Sequence, residues 1–280
     1  MKCEEIRVDT IDALSGALRG LADPANSAVC RGQALASWRL QPSIDRGVPP
    51  GTAYKKRLDE EWCLIKQFCR RVKNLLGVQE THFIESRQPS DIILPLTVMQ
   101  HYGAPTRMLD WTDSPFAAAF FAVIDSLDKD GAVWWFRTKP FEDAAGEQWN
   151  RFKMRSQSGD HVDYNKFAFS EVSPPFIGTT YLRLPFPRLE AQQGLFTCAG
   201  RLGLLHDDLL CGLMHGKDFG KIVIPSPLKR DALQMLKTMN VTAKSLEHVG
   251  ADRLGLRMSW DRTHGPVACR ASSAPAGAGP

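Results

Sequence analysis

The sequence predicts an α+β fold, with mixed small sheets flanked by helices. Two observations lead there. Its strand-like runs (AVC at 28–30, AVWWF at 132–136, TTYLRL at 179–184, KIVI at 221–224) are separated in some places by helical patterns and in others by further strands, so no strict alternation of strand and helix runs through the chain. No repeat of solenoid length is visible either.

Taken in order, Asp9 or Thr10 caps a helix whose Ile11, Leu14, Leu18 and Leu21 fall on one face, and Asp23-Pro24 stops it. The short strand 28–30 then runs into Arg31-Gly32-Gln33, where glycine lets the backbone approach something closely and two polar side chains can face one site, unless the pair is a plain turn. Residues 38–46 read as irregular, and 54–76 as the longest helix, with Trp62, Ile65, Phe68, Cys69, Val72, Leu75 and Leu76 in its apolar stripe and a solvated basic face. A polar connection follows over 77–90.

The stretch 94–123 (LPLTVMQHYGAPTRMLDWTDSPFAAAFFAV) carries the most specific chemistry. Pro95 opens a short helix that Gly103 ends, and Thr106 to Trp111 forms a strand or strand end bearing Arg107 and Asp110. Asp113 or Ser114 caps a buried helix over Phe116 to Ile124, with Pro115 in its first turn. That helix aims its positive end at Arg107 and Thr112, and with Thr106 nearby the set suits an anion such as phosphate. The alternative is that Arg107 and Asp110 simply pair with each other, as buried charges must.

Downstream, Asp128 to Gly131 is a turn, and 138–178 reads as a variable insertion or long connection. Gln192, Gln193 and Gly194 place amides beside a flexible backbone ahead of Leu195 and Phe196, and Pro227 opens a helix with Leu228, Leu233, Leu236 and Met239 turned inward. Residues 268–280, small and rich in Pro and Gly, read as a disordered tail after one domain over 1–267.

A chain of 280 residues with 43% hydrophobic and 24% charged residues has ordinary globular composition. The net charge of +4 arises from 35 basic and 31 acidic residues that are well mixed, which gives nucleic-acid binding no support. No apolar run approaches the roughly twenty residues of a membrane span, and no leader-like segment opens the chain, so a soluble cytoplasmic protein is expected. Seven cysteines cannot all pair, and none stands in a C-x-x-C or at metal-ligand spacing to histidine; reduced thiols and no metal are expected. Walker, dinucleotide-fingerprint, Ser-His-Asp and paired-carboxylate motifs are missing from the sequence.

Three blocks, Cys30-Arg31-Gly32-Gln33, then QHYGAPTRMLDWT at 100–112 with the following Ala- and Phe-rich helix, then QQGLF at 192–196, together resemble the FRG domain of bacterial and phage proteins, over a core of about residues 25–245. The sequence departs from that pattern in having Cys30 where an aromatic usually precedes the Arg-Gly pair, and in the segment 246–260.

A more distant similarity in layout is to ADP-ribosyltransferases, which cradle NAD between split sheets. That resemblance implies NAD as a substrate, Arg31 on its phosphates, Thr106 and Thr112 buttressing the pocket, and Gln192 or Gln193 fixing the ribose, with Glu190 the nearest carboxylate. Because glutamine cannot stabilise an oxocarbenium ion by charge, Asp110 is the residue that could supply it. Arg31, Asp110 and Gln193 are thus the candidate catalytic residues, and Gln33, Gln100, His101, Tyr102, Thr106, Arg107, Thr112 and Gln192 the candidate substrate contacts. His101 and Tyr102 either stack on a ring of the ligand or pack the helix end.

Two functions follow. One is an NAD-using transferase or glycohydrolase, an effector in a toxin or antiphage setting, acting on a protein target. The other is a non-catalytic module that binds a nucleotide, a small phosphorylated ligand or a protein partner. Convergence of Arg31, Arg107 and Gln193 on one pocket with His101 at its rim is expected of either.

Overall fold

A computed structural model of the chain describes residues 3–72, 93–155, 174–180, 190–214 and 216–246. Its centre is a mixed seven-stranded sheet built from β1 (Glu4–Arg7), β2 (Ala28–Gln33), β3 (Met108–Thr112), β4 (Gly131–Arg137), β5 (Ile177–Thr180), β6 (Gly194–Ala199) and β7 (Phe219–Ile224), in the order β1-β7-β4-β2-β3-β6-β5. Among these strands only β1 and β7 run parallel; the other neighbours are antiparallel. The fold is α+β, as expected, but the several small sheets expected are one sheet.

That sheet is not evenly joined. β2 pairs with β4 from Ala28↔Arg137 to Gln33↔Ala132, and β3 pairs with β6 along its whole length. Between β2 and β3 the register holds one pair, Cys30↔Thr112. The half β1-β7-β4-β2 and the half β3-β6-β5 therefore meet at one residue and part beyond it.

Local chemistry explains the helices. Thr10 accepts a hydrogen bond from Ala13 N and caps α1 (Ile11–Leu21), whose Leu14, Leu18 and Leu21 are buried. Ser114 caps α4 (Pro115–Val123) with Pro115 in its first turn, as the sequence suggests. The other helices are α2 (Tyr54–Val72), α3 (Ile93–His101), α5 (Thr138–Arg155), α6 (His206–Leu213) and α7 (Lys229–Thr238). Helix α5 replaces part of the expected long connection, and β2 continues through Arg31-Gly32-Gln33, which excludes a turn there. Leu75 and Leu76, residues 77–90, 181–184 and the tail lie outside the described residues.

Strand alternation divides the core into layers. Cys30, Val133, Trp135, Ile222 and Ile224 pack with α1, α4 and α7. Val29, Leu109, Trp111, Trp134, Phe136 and Leu195 pack with Phe141 of α5 and with Leu210 and Leu213 of α6. A third cluster joins Met108, Phe196 and Cys198 to Ile65 and Phe68 of α2 and to Leu96, Val98 and Met99 of α3. Gly32 serves this packing: a Cβ there would lie 1.9 Å from the Ala118 carbonyl oxygen and 2.8 Å from Ala122 N. What approaches the glycine is α4.

Candidate site where the sheet parts

Past the Cys30↔Thr112 pair, the Arg31 guanidinium stands where ladder bonds would otherwise join β2 and β3. Its Nη1 donates to the Asp110 carbonyl oxygen at 2.5 Å and lies 3.6 Å from Asp110 Oδ2. The Arg31 side chain is 15% exposed and that of Asp110 56% exposed, so the pair opens to solvent on the carboxylate side. Burial lowers the Arg31 pKa, Asp110 opposes that shift, and the Arg46 charge adds to it. Arg31 Nε is buried without a hydrogen-bond partner.

Gln100, at the end of α3, donates from Nε2 to Asp110 Oδ2 at 2.7 Å. Its Oε1 accepts from the Thr106 hydroxyl at 2.5 Å, and Thr106 Oγ1 accepts from Met108 N at 3.1 Å. Ser43 Oγ in turn accepts from Thr106 N at 3.1 Å. A continuous chain of hydrogen bonds thus runs from Met108 N through the Thr106 hydroxyl and the Gln100 amide to the open carboxylate.

Arg107 belongs elsewhere. Its Nε donates to Glu61 Oε1 at 2.8 Å, its Nη2 to Glu61 Oε2, and its Nη1 to the carbonyls of Gly200 at 3.0 Å and Ala199 at 3.4 Å. Burial would lower its pKa, but the charge and hydrogen bonds of Glu61 outweigh that and hold it above the usual arginine value. The partner is Glu61 on α2, and the expected pairing with Asp110 is overturned. Arg107 stands five residues before Thr112, roughly 16 Å along an extended strand, so it is not at the N-terminus of α4 either.

The third block lies at the other end of β3. Thr112 pairs in register with Gly194, and its Oγ1 donates to the Gln192 carbonyl at 2.6 Å while accepting from Ser114 N at 2.9 Å. Gln193 is exposed and left-handed at φ 47°; its carbonyl accepts from Asp113 N at 3.1 Å. Gln192 Nε2 donates to the Leu246 carbonyl at 3.0 Å. The register Cys30↔Thr112↔Gly194 sets Arg31 and Gln193 two strand spacings apart and two residues out of line along the strands, roughly 12 Å. Convergence therefore fails for Arg107, and Arg31 with Asp110 lies to one side of the Cys30↔Thr112 pair while Gln193 lies to the other.

Gln33 is buried, accepts from Trp134 Nε1 at 2.9 Å and donates to the Arg39 carbonyl at 3.4 Å, so it braces the loop after β2. His101 and Tyr102 are half-buried and meet edge to face at 5.1 Å, with Tyr102 packed on the α2/α3 cluster.

Sequence reasoning missed two groups. Glu61 stands at helical spacing from Ile65 and Phe68, so a carboxylate on an apolar face was the available signal. His206 begins α6 fully buried, its Nδ1 2.8 Å from the Thr197 hydroxyl, which accepts from Trp111 Nε1 at 2.8 Å. Burial first, then the charges of Arg31 and Arg107, push its pKa down to about 3. Among the described residues no group of three His, Cys, Asp or Glu could hold a metal ion, and no helix is long and apolar enough to cross a membrane.

No curated protein and no solved structure matches the chain. The family model of the FRG domain matches residues 26–131, a span that holds Arg31, Gln100, Thr106, Arg107 and Asp110 and ends as β4 begins. Gln192 and Gln193, in the turn before β6, and His206, at the start of α6, lie beyond it. Over residues 26–131, then, the chain is similar to the FRG domain.

Proposed function

We propose that this FRG-like domain is a nucleotide-binding, ADP-ribosyltransferase-like module that takes NAD where β2 and β3 part. The observation that carries the reading is the parting itself, a sheet narrowed to one residue pair with a half-open Arg31–Asp110 pair inside it. A planar guanidinium offers phosphate a fork that lysine lacks. The Asp110 carboxylate beside it supplies the negative charge that an oxocarbenium ion needs. In the hydrolytic form of the reaction the ribosyl C–N bond breaks, nicotinamide leaves, and water adds to the ribose carbon with loss of a proton. In the transferase form a nucleophile on a protein target takes the place of water.

A second reading, binding without turnover, is favoured by a specific observation: Asp110 Oδ2 is engaged by Gln100, and Gln193, in the turn before β6, carries no charge. Incubation with NAD separates the readings. Released nicotinamide that disappears in Asp110→Asn supports the enzyme, saturable binding without nicotinamide supports the module, and failure of NAD to bind removes both. A toxin or defence role would follow only from the first outcome.

A further inference from the structure

Thr106 is fully buried, so its hydroxyl cannot meet a ligand. Its Oγ1 accepts from Met108 N, and its single hydrogen goes to Gln100 Oε1. That fixes the amide: Gln100 has only Nε2 left to present, and the ionised Asp110 carboxylate can only accept it. Oδ2 of Asp110 is thereby held by Gln100 and faced by Arg31, while Oδ1 has no partner among the described residues and its side chain is 56% exposed. Met108 N anchors the Thr106 hydroxyl, so the relay is tied to the start of β3.

We propose that Gln100 and Thr106 are positioning residues, a relay from a buried hydroxyl to a half-buried amide that selects Oδ1 of Asp110 as the oxygen a ligand meets. This rests on the nucleotide-site reading above and replaces the expectation that both residues touch substrate. Because an ionised carboxylate only accepts, the ligand group at Oδ1 is a hydroxyl or N–H donor, while Arg31 next to it takes an acceptor such as phosphate.

The test uses the full chain and two readouts, with the melting temperature of each variant recorded. Thr106→Val removes the hydroxyl and nearly keeps the shape; Thr106→Ser keeps the hydroxyl. One neutral hydrogen bond corresponds to roughly a three- to tenfold change in affinity, so Thr106→Val should weaken NAD by about that factor and Thr106→Ser should stay within about twofold of wild type. Equal losses in the two variants would overturn the relay. The second readout is independent of NAD: the side-chain amide resonance of Gln100 should shift in both Thr106→Val and Asp110→Ala. If NAD does not bind wild type, the functional reading fails while this resonance still decides the relay; an unmoved resonance in both variants overturns it.

Discussion

Two arginines, one at the start of a short strand and one against its middle, differ in how their charges are met. Arg107 at the start of β3 is 1% exposed, and Glu61, 0% exposed, occupies its fork with two carbonyls filling the remaining nitrogen. Arg31, set against the middle of the same strand, makes one hydrogen bond to a carbonyl and faces a carboxylate that is 56% exposed. A charge pair enclosed on all sides can only hold structure together, here α2 against β3 and the loop after β6. A pair left half-open leaves a carboxylate facing solvent, which is where the proposed ligand would enter. The difference is geometric, since both arginines sit beside an acid.

The largest effect should come from opening the enclosed pair. Arg107→Ala leaves Glu61 buried and unpaired, which costs about 3–5 kcal/mol, and Glu61→Gln should recover part of that loss. Denaturant melts of the single and double variants check this. The same cycle between Arg107 and Asp110 should be additive, and a coupling energy there as large as that with Glu61 would erase the contrast.

Next is Gly32, beside Arg31. Because a Cβ would meet the backbone of α4, Gly32→Ala should destabilise by at least about 1–3 kcal/mol, measured by the same melts. Neutral behaviour would mean that α4 does not ride on β2, and that the Arg-Gly pair is not divided between a site and a packing contact.

His206 lies in the field of both arginines. Its folded pKa is depressed to about 3 from 6.5, so the unfolded chain binds this proton first as pH falls. Stability conferred by the neutral ring is therefore fully present above pH 6.5 and is lost on acidification towards pH 3. Between pH 6.5 and about pH 5 the expected loss is about 2 kcal/mol. His206→Asn should flatten that part of the stability curve relative to wild type, and parallel curves would contradict a buried neutral histidine.

Much of this was legible from residues with local causes. Thr10 and Ser114 cap where the sequence places them, Gly103 is left-handed at φ 75° after α3, and Arg31 and Asp110 were marked as site residues before their proximity was visible. What sequence could not give was pairing at long range. Arg107 and Asp110 are three residues apart and invite a local pair, yet strand geometry separates them and a helix 46 residues away supplies the partner. β1 escaped notice because four residues, EEIR, carry little apolar pattern at a sheet edge. The full burial of Thr106 was hidden for a related reason: a polar side chain near a site looks like a contact until its burial is known.

The claim on which the account turns is that ligand binds at the half-open arginine and not at the enclosed one. It is tested most directly by titrating NAD against wild type and Arg31→Lys, with melting temperature as the folding control. Lysine keeps the charge and loses the fork, and a charge-assisted hydrogen bond is worth about 1.5–3 kcal/mol, so affinity should fall roughly ten- to a hundredfold. Equal affinities in two equally stable proteins would contradict the claim and place the ligand elsewhere on the molecule.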